Sequence, residues 1–151
     1  MTRQQGFGAI AAIVVLVILA VLSGAIMSIS TTQQTSAAQD VLSARAWQTA
    51  RAGNEWGLFQ ALQGGTWSGT ACDAATLSQT LDLRAETGFS VTVSCRSWPY
   101  SEGEDTPGTP TTVRVYRITA VACPAAACPV TDATVAGVGY IERTRVVLAT
   151  N

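Results

Sequence analysis

The chain has 151 residues, room for one domain of ordinary size, and it carries nine arginines against ten acidic residues, with no lysine and no histidine. Charged residues make up 13% and hydrophobic ones 48%, where a soluble domain carries about 25% charged. These counts exclude a Ser-His or Cys-His nucleophile pair, a histidine-ligated metal, a lysine Schiff base and a P-loop lysine. The net charge of −1 argues against nucleic acid as a partner, because phosphate neutralisation needs a basic excess. The expectation is a protein without enzymatic activity or cofactor.

In chain order, the first element is an apolar run. From Phe7 to Met27 the sequence holds only apolar residues, glycine and one serine, Ser23. As a helix of 1.5 Å rise per residue it measures ~31 Å, matching the ~30 Å hydrocarbon core of a bilayer. No charge occurs between Arg3 and Asp40, and no polar face is left on the run. Such a helix is a membrane span or a fully buried core helix. Arg3 is the one charge before it, so the positive-inside rule predicts a cytoplasmic N-terminus, with everything beyond residue 30 across the membrane. A cleaved secretory signal has a shorter apolar part, about 7–15 residues, ending at a small-x-small site. A signal peptide, with small residues near 23–28, and a plain signal anchor are therefore the competing readings.

The residues before the run are Met1-Thr2-Arg3-Gln4-Gln5-Gly6, followed by Phe7. A short leader with a basic residue, then Gly-Phe and a long apolar helix, resembles the class III signal of type IV pilins and pseudopilins. The resemblance implies a leader at residues 1–6, cut after Gly6 by a prepilin peptidase. The same enzyme would then N-methylate Phe7.

Residues 28–62 lack proline and are rich in Ala, Gln, Leu and Arg, all helix formers. Gly64-Gly65-Thr66 ends the pattern. A single helix over 7–62 is predicted, ~80 Å long, with residues 7–27 as a transmembrane part and 28–62 as a periplasmic part. A polar helix of this kind needs something to pack against. Gly53 and Gly57 lie four apart on one helical face, and each costs about 1 kcal/mol against Ala. Close approach of another element would compensate. With Trp56 and Phe59 flanking, Gly53 and Gly57 are expected to pack the helix on a sheet rather than to bind a ligand. Leu58 and Leu62 form a neighbouring apolar pair, and Arg51 and Glu55 are spaced to form an ion pair.

The rest, residues 63–151, reads as β-rich. Gly88–Cys95, Thr111–Val121 and Gly139–Thr150 alternate with period two. Leu77–Leu83 fits a strand or a turn of helix. Residues 97–110, rich in Pro, Gly and acids, read as a loop. A helix followed by consecutive strands predicts an α+β fold with the helix on an antiparallel sheet.

Four cysteines, an even number beyond a membrane span, point to two disulfides. Of three connectivities, Cys72–Cys95 and Cys123–Cys128 are favoured. The second closes a small loop between the last strands, and the first ties the post-helix loop to a strand. A four-cysteine zinc site needs two short pairs, and Cys72 and Cys95 do not supply one. Glu102, Glu104 and Asp105 are weak candidates for a calcium site, but they lack EF-hand spacing. A solvated acidic loop is the favoured reading, and a catalytic carboxylate pair has no partner base.

Several segments narrow the resemblance. They are Arg-Gln-Gln-Gly-Phe at 3–7, Thr-Gln-Gln-Thr-Ser at 32–36, Ala-Arg-Ala-Gly-Asn-Glu-Trp-Gly at 50–57, Val-Thr-Val-Ser-Cys at 91–95 and Val-Tyr-Arg-Ile-Thr-Ala at 115–120. They are similar to the accessory proteins of MSHA (mannose-sensitive haemagglutinin) pilus biogenesis, strongly over residues 3–62 and in patches beyond. The resemblance implies a type IV pilin-like fold and a minor pilin. Its partners would be the prepilin peptidase, other minor and major pilins, the inner-membrane assembly platform and membrane lipid. Major pilins carry a glutamate at the fifth mature position, thought to meet the N-terminal amine of a neighbouring subunit. Counted from Phe7, that position is Ala11, which points to a tip or initiation position. A type II secretion pseudopilin and an uncleaved, membrane-anchored periplasmic binding module are the alternatives.

Overall fold

The first of the five prolines is Pro99, so nothing forces a break in the N-terminal helical pattern. The computed structural model describes residues 6–73, 76–137 and 139–151. In it, helix α1 spans Gly6–Leu62. The expected leader, residues 1–6, lies outside the described residues apart from Gly6. Four strands follow: β1 (Leu77–Leu83), β2 (Phe89–Thr106), β3 (Thr109–Cys123) and β4 (Arg143–Thr150). A short helix, α2 (Arg84–Thr87), joins β1 to β2, and a 3-10 turn occupies Ala133–Ala136. The layout is α+β.

The chain divides into two compact units, Met1–Asp40 and Val41–Asn151. In the first, every described residue is helical, and the side chains of residues 8–27 are exposed. The second contains the end of α1 and a four-stranded sheet in the order β1-β2-β3-β4, with all neighbours antiparallel.

Register decides which side chains share the core. Val91, Val93 and Cys95 of β2 stand opposite Ala122, Ala120 and Ile118 of β3. Leu77 and Leu81 of β1 stand opposite Cys95 and Val91. With period two these residues share one face. The C-terminal part of α1 covers that face with Ala50, Gly53, Gly57 and Ala61, all buried. Small residues at three- and four-residue steps make a smooth stripe, so helix and sheet approach closely. Trp67 closes the end of the core and meets Trp56 edge-on, with ring centroids 4.9 Å apart at 84°.

The structure corrects two sequence expectations and resolves a third. Residues 97–110 are not a loop. β2 runs to Thr106, β3 starts at Thr109, and the pairing continues from Tyr100↔Val113 to Thr106↔Thr109 through two register shifts. Pro99 and Pro110 are tolerated because β1 pairs no further than Cys95 and β4 no further than Val115, so each strand has a free edge there. Pro107 and Gly108, with φ 88° at the glycine, take the central residue order of a type II turn. The last strand starts at Arg143 rather than Gly139. Leu77–Leu83, left open between strand and helix, is a strand.

Candidate functional site

Three features carry functional content: the apolar segment of α1, the helix–sheet contact, and the sheet face turned away from α1.

Gly8–Met27 is long and apolar enough to cross a membrane. None of it is buried by protein, and Leu16 is 66% exposed. Within the described structure it is therefore not a buried core helix. Ala11 lies within this segment and is exposed. Ser23 donates its hydroxyl to the Leu19 carbonyl at 2.7 Å, so the single polar side chain of the segment is satisfied within the helix.

The helix–sheet contact rests on Gly53 and Gly57. A Cβ on Gly53 would lie 2.6 Å from Val91 Cγ2, and one on Gly57 would lie 2.5 Å from Ile118 Cγ2. Trp56 packs against the core cluster. Phe59, expected to pack on the sheet, instead points away and is 59% exposed. Two residues beyond Gly57 is about 200° around the helix, and the stripe continues through Ala61 instead. Asn54 is buried on the same helix with its Oδ1 unpaired. Arg51 and Glu55 pair at 2.9 Å in solvent. On β4, Arg143 donates to Ser43 Oγ at 3.1 and 2.6 Å, and the Arg145 guanidinium stacks 4.2 Å from the Trp47 ring.

Disulfides join Cys72 to Cys95 and Cys123 to Cys128, with Cα separations of 5.7 and 5.8 Å. The first holds the post-helix segment on β2, where Ser97 N donates to the Cys72 carbonyl at 3.0 Å. Next to it, the Asp73 carboxylate accepts from Ser97 Oγ and from the Arg114 guanidinium. The serine hydroxyl and then the guanidinium hold the Asp73 carboxyl below the usual carboxylate range. Asp82 is likewise held low, by the Arg84 side chain first. Burial, then the hydrogen bond to Glu142, pushes Tyr140 up to about 12. The second disulfide folds its loop over the far face of the sheet, where Cys128 N donates to Thr92 Oγ1 at 3.0 Å.

Further along that face the sheet is uncovered. Arg96 and Arg117 are direct cross-strand partners, and both guanidiniums approach the Trp98 ring, at 5.5 and 5.2 Å from its centroid. Leu148 stands opposite Arg117 and is 60% exposed. Sequence reasoning missed this cluster. Its signal was present as Arg-x-Trp at 96–98, two residues that must share a strand face, but Trp98 fell in the segment read as a loop and Arg96 just beyond the strand expected to end at Cys95.

Glu102, Glu104 and Asp105 lie at the far end of the β2–β3 hairpin. They are exposed, and Glu104 accepts from Gly108 N at 3.0 Å across the turn. Among the described residues, no three His, Cys, Asp or Glu side chains gather as a metal cluster. The weak calcium candidates are therefore not brought together. A groove of about 500 Å³ lies between α1 and α2, lined by Val41, Ala44, Arg45, Gln48, Glu86 and Thr87. Among the described residues its lining holds one arginine and one carboxylate.

Neither a scan against protein-family models nor searches of curated proteins and of solved structures finds a match.

Proposed function

We propose that the chain is a non-enzymatic, minor pilin-like subunit of a type IV pilus system of the MSHA type. In this reading Gly8–Met27 holds the subunit in the inner membrane, with the N-terminus cytoplasmic and residues 63–151 periplasmic. Prepilin peptidase cuts after Gly6 and methylates Phe7. The carrying observation is that α1 (Gly6–Leu62) combines a charge-free, unburied apolar segment with a C-terminal stripe buried on an antiparallel sheet. The first part fits storage in lipid and later packing among other subunits, where protein contacts replace lipid ones. The second part carries the globular domain, whose surfaces meet other minor pilins and the assembly platform.

Ala11 refines the proposal. A carboxylate in an apolar filament core is costly without a partner. A subunit with no neighbour above it has no amine to receive, and alanine there suits a tip or initiation position. Ala11→Glu should leave processing intact and disturb placement. Identical pilus assembly by the variant would remove the support for a tip position.

The deciding experiment is the intact mass of the membrane-extracted protein, with and without co-expressed prepilin peptidase. Loss of Met1–Gly6 with one added methyl group is expected. An uncut N-terminus in the presence of active peptidase would favour the anchored binding module. Cleavage after the apolar run would make the domain a secreted one and end the pilus reading.

A further inference from the structure

Two exposed features of the second unit are incomplete on their own, and their charges are opposite. The first is the uncovered sheet face. Arg96 and Arg117 are directly opposed across β2 and β3, an arrangement of like charges that destabilises a sheet. Neither takes part in an ion pair among the described residues. Both instead lean on Trp98, which fixes two planar, weakly hydrated guanidiniums side by side. Tyr100, Val146 and Leu148 extend the face as exposed apolar surface. Two guanidiniums on one ring present forks that match carboxylates.

The second feature is the β2–β3 arm. Beyond Tyr100↔Val113 no third strand among the described residues pairs with the hairpin, and its residues from Pro99 to Thr112 are exposed. A two-stranded ribbon alone is marginally stable in water. Three of the ten acidic residues of the chain fall within positions 102–105 at its tip, and no arginine lies between Arg96 and Arg114. The tip cannot fold back on Arg96 and Arg117 of its own chain. Eight residues of extended strand separate Arg96 from Glu104, ~26 Å at 3.3 Å per residue.

We propose that the sheet face around Arg96, Trp98 and Arg117 docks the acidic β2–β3 arm of a second copy of this chain. Each copy carries both halves, so the contact is heterologous, one subunit's arm on the next subunit's face. Docking supplies carboxylates to an arginine pair that has none and covers the exposed Leu148 strip. It also gives the ribbon the packing surface that its own chain does not provide. The proposal concerns the domain surface and is independent of cleavage after Gly6, so it stands or falls apart from the pilin reading.

The test uses the full chain reconstituted at one copy per lipid nanodisc, so that the apolar segment is shielded and discs can associate only through the domain. Sedimentation velocity over a concentration series reads disc–disc association, at low salt and at about 1 M, where screening shortens the Debye length to ~3 Å. The parent chain is expected to associate at low salt and to separate at high salt. Arg96→Glu with Arg117→Glu should weaken association at least about tenfold, and so should Glu102→Arg with Glu104→Arg and Asp105→Arg. The two variants, each weak alone, should associate when mixed, because the unaltered acidic arm of the face variant then meets the unaltered arginine face of the arm variant, and the reversed arm meets the reversed face. Glu102→Gln with Glu104→Gln and Asp105→Asn, which only neutralises an exposed arm, replaces the arm reversal if that variant misfolds. Single discs at every concentration of the parent would overturn the proposal. So would association indifferent to salt and to both variants, or a mixture that stays dissociated.

Discussion

At the residue scale, Gly53 and Gly57 set how closely α1 can approach the sheet. A Cβ at position 57 meets Ile118 Cγ2 at 2.5 Å and Val93 Cγ1 at 2.9 Å. Both neighbours are β-branched and stiff at χ1. Alanine gains about 1 kcal/mol in helix propensity, against about 1–3 kcal/mol for overpacking a filled core. Gly57→Ala is therefore expected to destabilise the domain by about 1 kcal/mol net. Urea unfolding of the full chain in detergent, followed by tryptophan fluorescence, reads this through Trp67, which lies against the site. The two glycines were legible in the sequence because each costs helix propensity and their spacing puts both on one face, where a close contact would compensate. Phe59 misled because an aromatic beside a buried stripe looks like part of it, and only the actual rotation of the stripe shows otherwise. Asp73 is a second residue-scale case. Its folded pKa is depressed by Ser97 and Arg114. Its stabilising contribution is therefore complete above the unfolded value, about 3.9, and fades as pH falls through the folded one. Asp73→Asn should lower the melting temperature at neutral pH. The gap between variant and parent should close as both are acidified below about pH 4.

At the element scale, the two disulfides close loops of different length, with sequence separations of 23 and 5. Chain-entropy arithmetic gives about 3 kcal/mol for the longer loop and about 2 for the shorter. Replacing Cys72 and Cys95 by alanine should thus cost more, by about 1 kcal/mol, than replacing Cys123 and Cys128. Paired denaturation curves under non-reducing conditions measure the difference. The β2–β3 arm gives another prediction. Amides in its two-stranded part, beyond Tyr100, should exchange with solvent faster than those of Val91 and Val93, which lie in a buried strand with neighbours on both sides. Hydrogen exchange read by mass spectrometry separates the two segments. The arm also marks the limit of reading elements from sequence. The central strands announce themselves by alternation, because one face is buried. In the arm neither face is buried, so no alternation is required. The prolines and glycines that mark loops elsewhere are compatible with a ribbon whose outer edges are free.

At the scale of the whole molecule, the apolar segment was the most legible feature, because twenty charge-free residues have few physical outcomes. The structure narrows these by leaving Gly8–Met27 wholly unburied. The partners were not legible, since association depends on surfaces that composition does not describe. One prediction follows from the segment alone. Leu16 and Leu19 lie near its middle and are exposed. An arginine at the centre of a span costs about 2.5–3.5 kcal/mol on an insertion scale, so Leu16→Arg with Leu19→Arg adds about 5–7 kcal/mol against insertion. Neither residue is a member of the buried core of the second unit, so that core and the packing of Trp67 should form as in the parent. The double variant should therefore move from the carbonate-resistant membrane fraction to the soluble fraction and, once the purified protein is oxidised in vitro, show both disulfides and the tryptophan emission of the parent. A variant that stays in the membrane would mean that the domain, not α1, provides attachment. Loss of the folded domain together with membrane release would mean that the segment contributes to the core after all.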